Sequence, residues 1–227
     1  MSSQRSSDKL AAIRAEICRV GRSLFERGYV HSTAGNISVR LADEQGFLIT
    51  PTDACLGFLE PEALAWVGLD GVQRGGAPAS KTLALHRRIY QSDADAQCVI
   101  HTHSTHLVAV SLGGAWRGDE LLPPITPYYV MKVGHVPLIA YRRPGDTQSA
   151  DAVEAAIGAA QRAGCPIRAV MLERLGPNVW HRSPGQAMAT LEELEETARL
   201  WLASGRTAEP LSEAQIDELR ASFGARW

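Results

Sequence analysis

Apolar residues recur every three or four positions near the start of the chain, at Leu10, Ile13, Ile17, Val20 and Leu24. That period lays one apolar stripe along a helix. It predicts a first helix from about Ser7 to Arg27, with Gly28 as its stop. Ile37 to Leu41 and Phe47 to Thr50 read as strands, separated by a polar turn around Asp43 to Gly46. A second helix is expected over Ser80 to Gln91, with Ser80 as its N-cap. The β-branched run through Cys98, Val99, Ile100, His101, Thr102 and His103 reads as a buried strand.

Gly114 to Pro124 reads as a loop, and Tyr128 to Tyr141 as two further strand-like pieces. A third helix should follow Asp146 and run to about Ala163, and Ile167 to Leu172 reads as a strand. A long helix follows Pro184, with its acidic residues concentrated between Glu192 and Glu196. Near the end, Ser212 and Gln215 form a capping box before a short last helix. No repeat, low-complexity stretch or linker interrupts this order. A single domain over residues 1–227 is therefore expected, of a size that supports one α/β core.

Composition narrows the function more than the fold. Hydrophobic residues make up 45% and charged residues 21%, with a formal net charge of -2. Such a balance gives no case for a nucleic-acid or membrane partner, so any bound anion must be held locally. Cys18, Cys55, Cys98 and Cys165 are widely spaced and lack a CxxC pair. They read as reduced, structural thiols of a cytoplasmic protein. Met1 to Lys9 is polar with no apolar run behind it, so no signal peptide is expected. No stretch is long and apolar enough for a membrane span.

Three segments carry candidate chemistry. His101 and His103 are two apart on a predicted strand, so their side chains share a face. Neutral imidazoles in that arrangement suit a divalent metal such as zinc, although an HxH pair at a strand end is equally a pair of satisfied polar groups. Thr33 to Ser38 combines small residues with hydroxyl and amide groups before a strand, which can cradle an anion or simply turn the chain. Ser80 and Lys81 stand at a predicted helix start, where the helix N-terminus attracts anions and lysine adds a mobile charge.

In order along the chain stand TAGNISVR, FLITPT, ASKTLALH, VIHTHSTH, TPYYVMKVG and LEELEETARL. Together they resemble the class II aldolase and adducin superfamily over nearly the whole chain. TPYYVMKVG, the RRPGD turn at Arg142 to Asp146 and LEELEETARL are most similar to the 3-oxo-tetronate 4-phosphate decarboxylases. The resemblance implies a three-layer α/β/α domain around a central, largely antiparallel sheet. It implies a homotetramer with active sites at subunit interfaces, and a divalent metal, usually zinc. It implies His101 and His103 as metal ligands and Thr33, Asn36, Ser80 and Lys81 as phosphate-binding residues. Tyr128, or Tyr129 one residue on, falls where the aldolases place a proton donor from the neighbouring subunit.

Three positions depart from the family pattern. Thr82 replaces a catalytic glutamate, Leu175 replaces a third histidine ligand, and Asp53 replaces a glycine. Threonine is no general base near neutral pH, and leucine ligates no metal. Aldol cleavage needs a base to take a hydroxyl proton. Loss of carbon dioxide from a 3-oxo acid does not. Thr82 therefore weighs against an aldolase more than against a decarboxylase. The expected reaction is decarboxylation of a phosphorylated 3-oxo sugar acid to a triose phosphate and carbon dioxide. The alternatives are an aldolase cleaving a small ketose phosphate and a non-catalytic, adducin-like binding protein. For the missing ligand, Glu173 is the local candidate if its strand runs that far, and His106 the next. His31, His86, His135 and His181 read as ordinary polar or core histidines. Asp53 would repel a phosphate unless Lys81 offsets it.

Overall fold

The structure, a computed structural model, describes residues 2–227 apart from Asp43 and Glu44, and gives residues 2–7 as helical backbone only. The chain divides into two compact units. One comprises Met1–Thr102 with Trp180–Ala187, the other His103–Val179 with Met188–Trp227.

The first unit opens with helix α1, Ser2–Glu26, which buries the predicted stripe at Ile17, Val20 and Leu24. Strands β1 (Asn36–Arg40), β2 (Phe47–Ile49), β3 (Ala65–Val67) and β4 (Gln73–Gly75) follow, then helix α2 (Leu83–Ser92) and strand β5 (Cys98–His101). They neighbour one another in the order β4-β3-β2-β1-β5, every pairing antiparallel. Ile37, Phe47, Leu48, Ile49, Val99 and Ile100 are fully buried. Tyr90 of α2 packs on Phe47 of β2, with ring centroids 5.3 Å apart.

The second unit contains helix α3 (Thr105–Ser111), strand β6 (Leu138–Ile139), helix α4 (Thr147–Arg162) and strands β7 (Ala169–Leu172) and β8 (Gly176–His181). The last two residues of β8 belong to the first unit. Helices α5 (Pro184–Ala203) and α6 (Glu213–Phe223) complete the chain. β7 pairs antiparallel with β8 and parallel with β6. The carboxylate of Glu195 on α5, 9% exposed, accepts the backbone N–H groups of His106 and Leu107 at 2.9 and 3.0 Å. It thereby satisfies the start of α3, whose own N-cap, Ser104, makes no side-chain cap bond. Asp146 caps α4, and the Ser212–Gln215 capping box is formed at α6.

Several boundaries differ from the sequence reading. α2 starts at Leu83 rather than Ser80, and Thr82 takes the N-cap position without a side-chain cap bond. Ser80 and Lys81 form the turn before it. The stretch from Tyr128 to Tyr141 yields one short strand, not two. Thr126 Oγ1 accepts the N–H of Tyr129 at 3.1 Å and starts a π-type turn over Tyr129–Val133, which Gly134 ends at φ 78. β3, β4, β8 and α3 were not anticipated. β3 and β4 have three residues each, α3 has seven, and β8 carries Gly176, Pro177 and Asn178. Such lengths and residue types give little periodic signal. The expected turn at Asp43 to Gly46 lies partly outside the described residues.

Candidate functional site

Strand register builds the site in the first unit. Asn36 of β1 lies directly opposite His101 of β5, so the two side chains share a face, with Ser38 next along that face. Both are buried, at 6% and 2% exposure. Gly35, at φ +84, makes the approach possible. A Cβ there would stand 2.8 Å from the His101 carbonyl oxygen and 2.9 Å from Val30 Cγ1.

α2 covers the same face. His86 Nδ1 lies 2.7 Å from Ser38 Oγ, which lies 2.7 Å from the Tyr90 hydroxyl. His86 is fully buried, and its Nε2 has no hydrogen-bond partner. Burial first, and the charge of nearby His101 second, push its pKa down to about 3, so the ring is neutral near pH 7. Asn36 Oδ1 is likewise buried and unpartnered. His86 read from sequence as an ordinary core residue. Its place four residues after Thr82, on one helix face, was the available signal.

The loop before α2 is tied to the strand that carries Asn36. Thr50 Oγ1 accepts the N–H of Ile37 at 3.2 Å, and the Thr50 carbonyl accepts the N–H of Ser80 at 3.2 Å. Ser80 is 8% exposed, with its hydroxyl 3.0 Å from that of Thr82. Asp53 adopts φ 55, a left-handed conformation that glycine favours and aspartate tolerates. Lys81 Nζ sits 3.4 Å from Asp53 Oδ2, with both side chains mostly exposed, so the charge that would repel a phosphate has a counter-ion. Ser80 and Lys81 thus stand within one short hydrogen-bonded chain of Asn36. Thr33 is exposed.

The second unit holds the remaining predicted residues. β7 ends at Leu172, so the strand does not extend to Glu173. Glu173, Arg174 and Leu175 form the turn into β8, with Arg174 at φ 63. The Glu173 carboxylate accepts the N–H of Tyr141 at 2.9 Å and lies 3.6 Å from Arg174 Nε. His106 Nδ1 is bonded to Glu195 at 2.8 Å. Tyr128 is 60% exposed. Tyr129 is fully buried, and burial together with the charge and hydrogen bond of Glu120 raises its pKa well above the ordinary value.

Among the described residues, no three His, Cys, Asp or Glu side chains come together as a metal centre. β5 ends at His101, so the predicted strand does not reach His103, which lies two residues beyond it, and the alternation expected to put both histidines on one face is not formed by the strand. An unpartnered amide oxygen and an unpartnered ring nitrogen beside His101 are features that a cation with its own ligands would satisfy. A metal held there by two imidazoles would have to be completed from solvent or substrate.

The class II aldolase and adducin N-terminal domain model matches residues 15–202. The chain is 54% identical over 220 residues to the 3-oxo-tetronate 4-phosphate decarboxylase of Cupriavidus necator, covering 95% of this chain and 97% of that one. It is 37% identical over 212 residues to the decarboxylase of the same name from Escherichia coli K12, covering 92% and 96%. Among solved structures, YgbL of Escherichia coli, described as an aldolase/epimerase/decarboxylase, superposes with a TM-score of 0.82 at 36% identity, covering 93% of this chain and 99% of its own. An L-fuculose 1-phosphate aldolase superposes at 0.79 with 21% identity, a likeness of fold.

Proposed function

The chain belongs to the class II aldolase and adducin family, and from that premise we propose that it is a carbon–carbon lyase that decarboxylates a 3-oxo-tetronate 4-phosphate to a triose phosphate and carbon dioxide. The observation that carries this reading is the 54% identity, over 95% of the chain, to a decarboxylase of that name. Thr82 supports it chemically. Decarboxylation of a 3-oxo acid needs an electron-withdrawing ketone and, afterwards, a proton at carbon. It needs no carboxylate base at the start of α2.

His101 and His103 would hold a divalent metal, zinc by the preference of paired neutral imidazoles. When bound, the metal supplies Lewis-acid polarisation of the ketone oxygen. Glu173 would have to leave Tyr141 and Arg174 to join it. The Asn36 amide, the Ser80 hydroxyl, Lys81 and the Thr33 hydroxyl orient the phosphate by short donors and one mobile charge. Buried, neutral His86 and the Ser38 and Tyr90 hydroxyls back the His101 face and keep water from it. The exposed Tyr128 is assigned as the proton donor to a neighbouring subunit's substrate, within a homotetramer. Tyr129 is sequestered against Glu120 and serves packing. Four thiols without a disulfide support a cytoplasmic setting.

The test follows carbon dioxide and aldehyde release together, on protein prepared without chelator. Carbon dioxide from 3-oxo-tetronate 4-phosphate is expected, with a stoichiometric divalent metal that His101→Ala combined with His103→Ala removes. Aldehyde release with no carbon dioxide from any 3-oxo acid would overturn the reaction. A full complement of metal in the double variant would overturn the ligand assignment.

A further inference from the structure

The second unit contains a cavity of about 390 Å³ that none of the residues assigned above lines. It lies among Trp116, Arg117, Glu120, His135, Glu213 and Trp227, and Leu211 and Ile216 add apolar surface. Its volume falls within the range of small-molecule sites.

Its two side-chain carboxylates have partners and its guanidinium has none among them. Both oxygens of Glu120 are committed. Oε2 lies 2.6 Å from His135 Nδ1, and Oε1 accepts the N–H of Val136 at 2.9 Å and the hydroxyl of Tyr129 at 3.5 Å. Glu213 is mostly exposed and lies 3.6 Å from Arg220. Arg117 is different. Its guanidinium lies 4.6 Å from the centroid of the Trp116 ring, and no carboxylate among the described residues pairs with it. The cavity therefore offers one guanidinium that no carboxylate contacts, with a planar, bidentate donor edge.

The walls are aromatic. Trp227 stacks on His135 with ring centroids 4.2 Å apart, and Tyr129 meets Trp227 edge-on at 5.4 Å. Arg220 donates to the Trp227 backbone oxygen at 2.6 and 3.1 Å, which holds the main chain that carries that indole. Indole surface held rigid beside an unpaired guanidinium suits a flat apolar body that carries one negative group.

We propose that this cavity is a binding site for a small aromatic carboxylate, with the carboxylate on Arg117 and the ring against Trp116 and Trp227. A bare oxyanion would use the guanidinium and leave the indoles idle. A neutral aromatic would do the reverse.

The experiment titrates the full-length protein with benzoate, benzamide and inorganic phosphate, read by calorimetry and by tryptophan fluorescence. Benzoate is expected to bind saturably, one per chain, and to perturb the fluorescence. Benzamide should bind at least about tenfold more weakly, since it lacks a charge-assisted hydrogen bond worth that much or more, and phosphate should bind more weakly because it leaves the indole surfaces uncovered. Arg117→Met keeps the stem on Trp116 and removes the charge. It should lose benzoate affinity by about tenfold or more while decarboxylase turnover stays at the parent level, and Arg117→Lys should fall between. Unchanged benzoate affinity in Arg117→Met would place the anion elsewhere, the phosphate-binding residues included. Equal affinity for benzamide, competition by phosphate as effective as benzoate, or no saturable binding would each overturn the proposal.

Discussion

Thr82 is the residue on which the proposed choice between decarboxylation and aldol cleavage turns. It sits at the N-cap of α2 with its hydroxyl 3.0 Å from Ser80 Oγ, and it presents no carboxylate where the family pattern has one. Thr82→Glu should be tolerated by the helix, because a negative charge at a helix N-terminus is stabilising. Aldehyde release from a matched ketose phosphate should then rise at least about tenfold relative to carbon dioxide release, a modest share of what a positioned general base provides. An unchanged ratio would mean that selectivity is set by another residue. Asn178 makes the opposite kind of demand. It is fully buried in β8, directly opposite Val170, and neither end of its amide has a partner. Asn178→Val removes two unsatisfied polar atoms and suits a strand. It should raise the unfolding free energy by about 1–3 kcal/mol in denaturant titrations. A loss of stability would show that the amide is satisfied by a ligand or a neighbouring subunit.

Elements with a periodic signal were legible. The stripe of α1, the capping box of α6 and the apolar runs of β1, β2, β5 and β7 all read directly from residue spacing. The capping box gives a direct energetic check. Ser212 Oγ accepts the N–H of Gln215 at 3.4 Å, and Gln215 Oε1 accepts the N–H of Ser212 at 2.8 Å. Ser212→Ala should cost about 1 kcal/mol, measured as a shift of the denaturation midpoint at constant slope. What sequence could not supply was anything closed by distant residues. α3 has no local cap because Glu195, 89 positions beyond His106, provides it. The turn at Tyr129 replaced a predicted strand because one hydroxyl, Thr126 Oγ1, captured an N–H. The motifs that mark the site were visible for the same reason as the regular elements, since each lies within a few consecutive residues. The link from Ser80 through Thr50 to Ile37, and the His86–Ser38–Tyr90 chain, needed the fold.

At the scale of the whole molecule, the shared-site reading makes a demand that a single chain cannot meet. If Tyr128 serves a neighbour's substrate, damage to it and damage to His103 lie in different subunits of the same site. His103→Ala and Tyr128→Phe should each lose most activity alone. Co-assembled in equal amounts they should regain about a quarter of the parent value, the share of interfaces that random mixing leaves intact on both sides. Recovery that stays at the level of the separate variants would put both groups in one chain. Gly35 carries the remaining consequence. The pairing of Asn36 with His101 depends on a neighbour that has no side chain to obstruct the histidine's carbonyl. Any side chain at this position would press on that carbonyl from a strained backbone, although the residue need never meet a substrate. A lineage could exchange Thr82 or Leu175 and explore new chemistry, whereas replacing Gly35 would deform the frame on which any such chemistry is built.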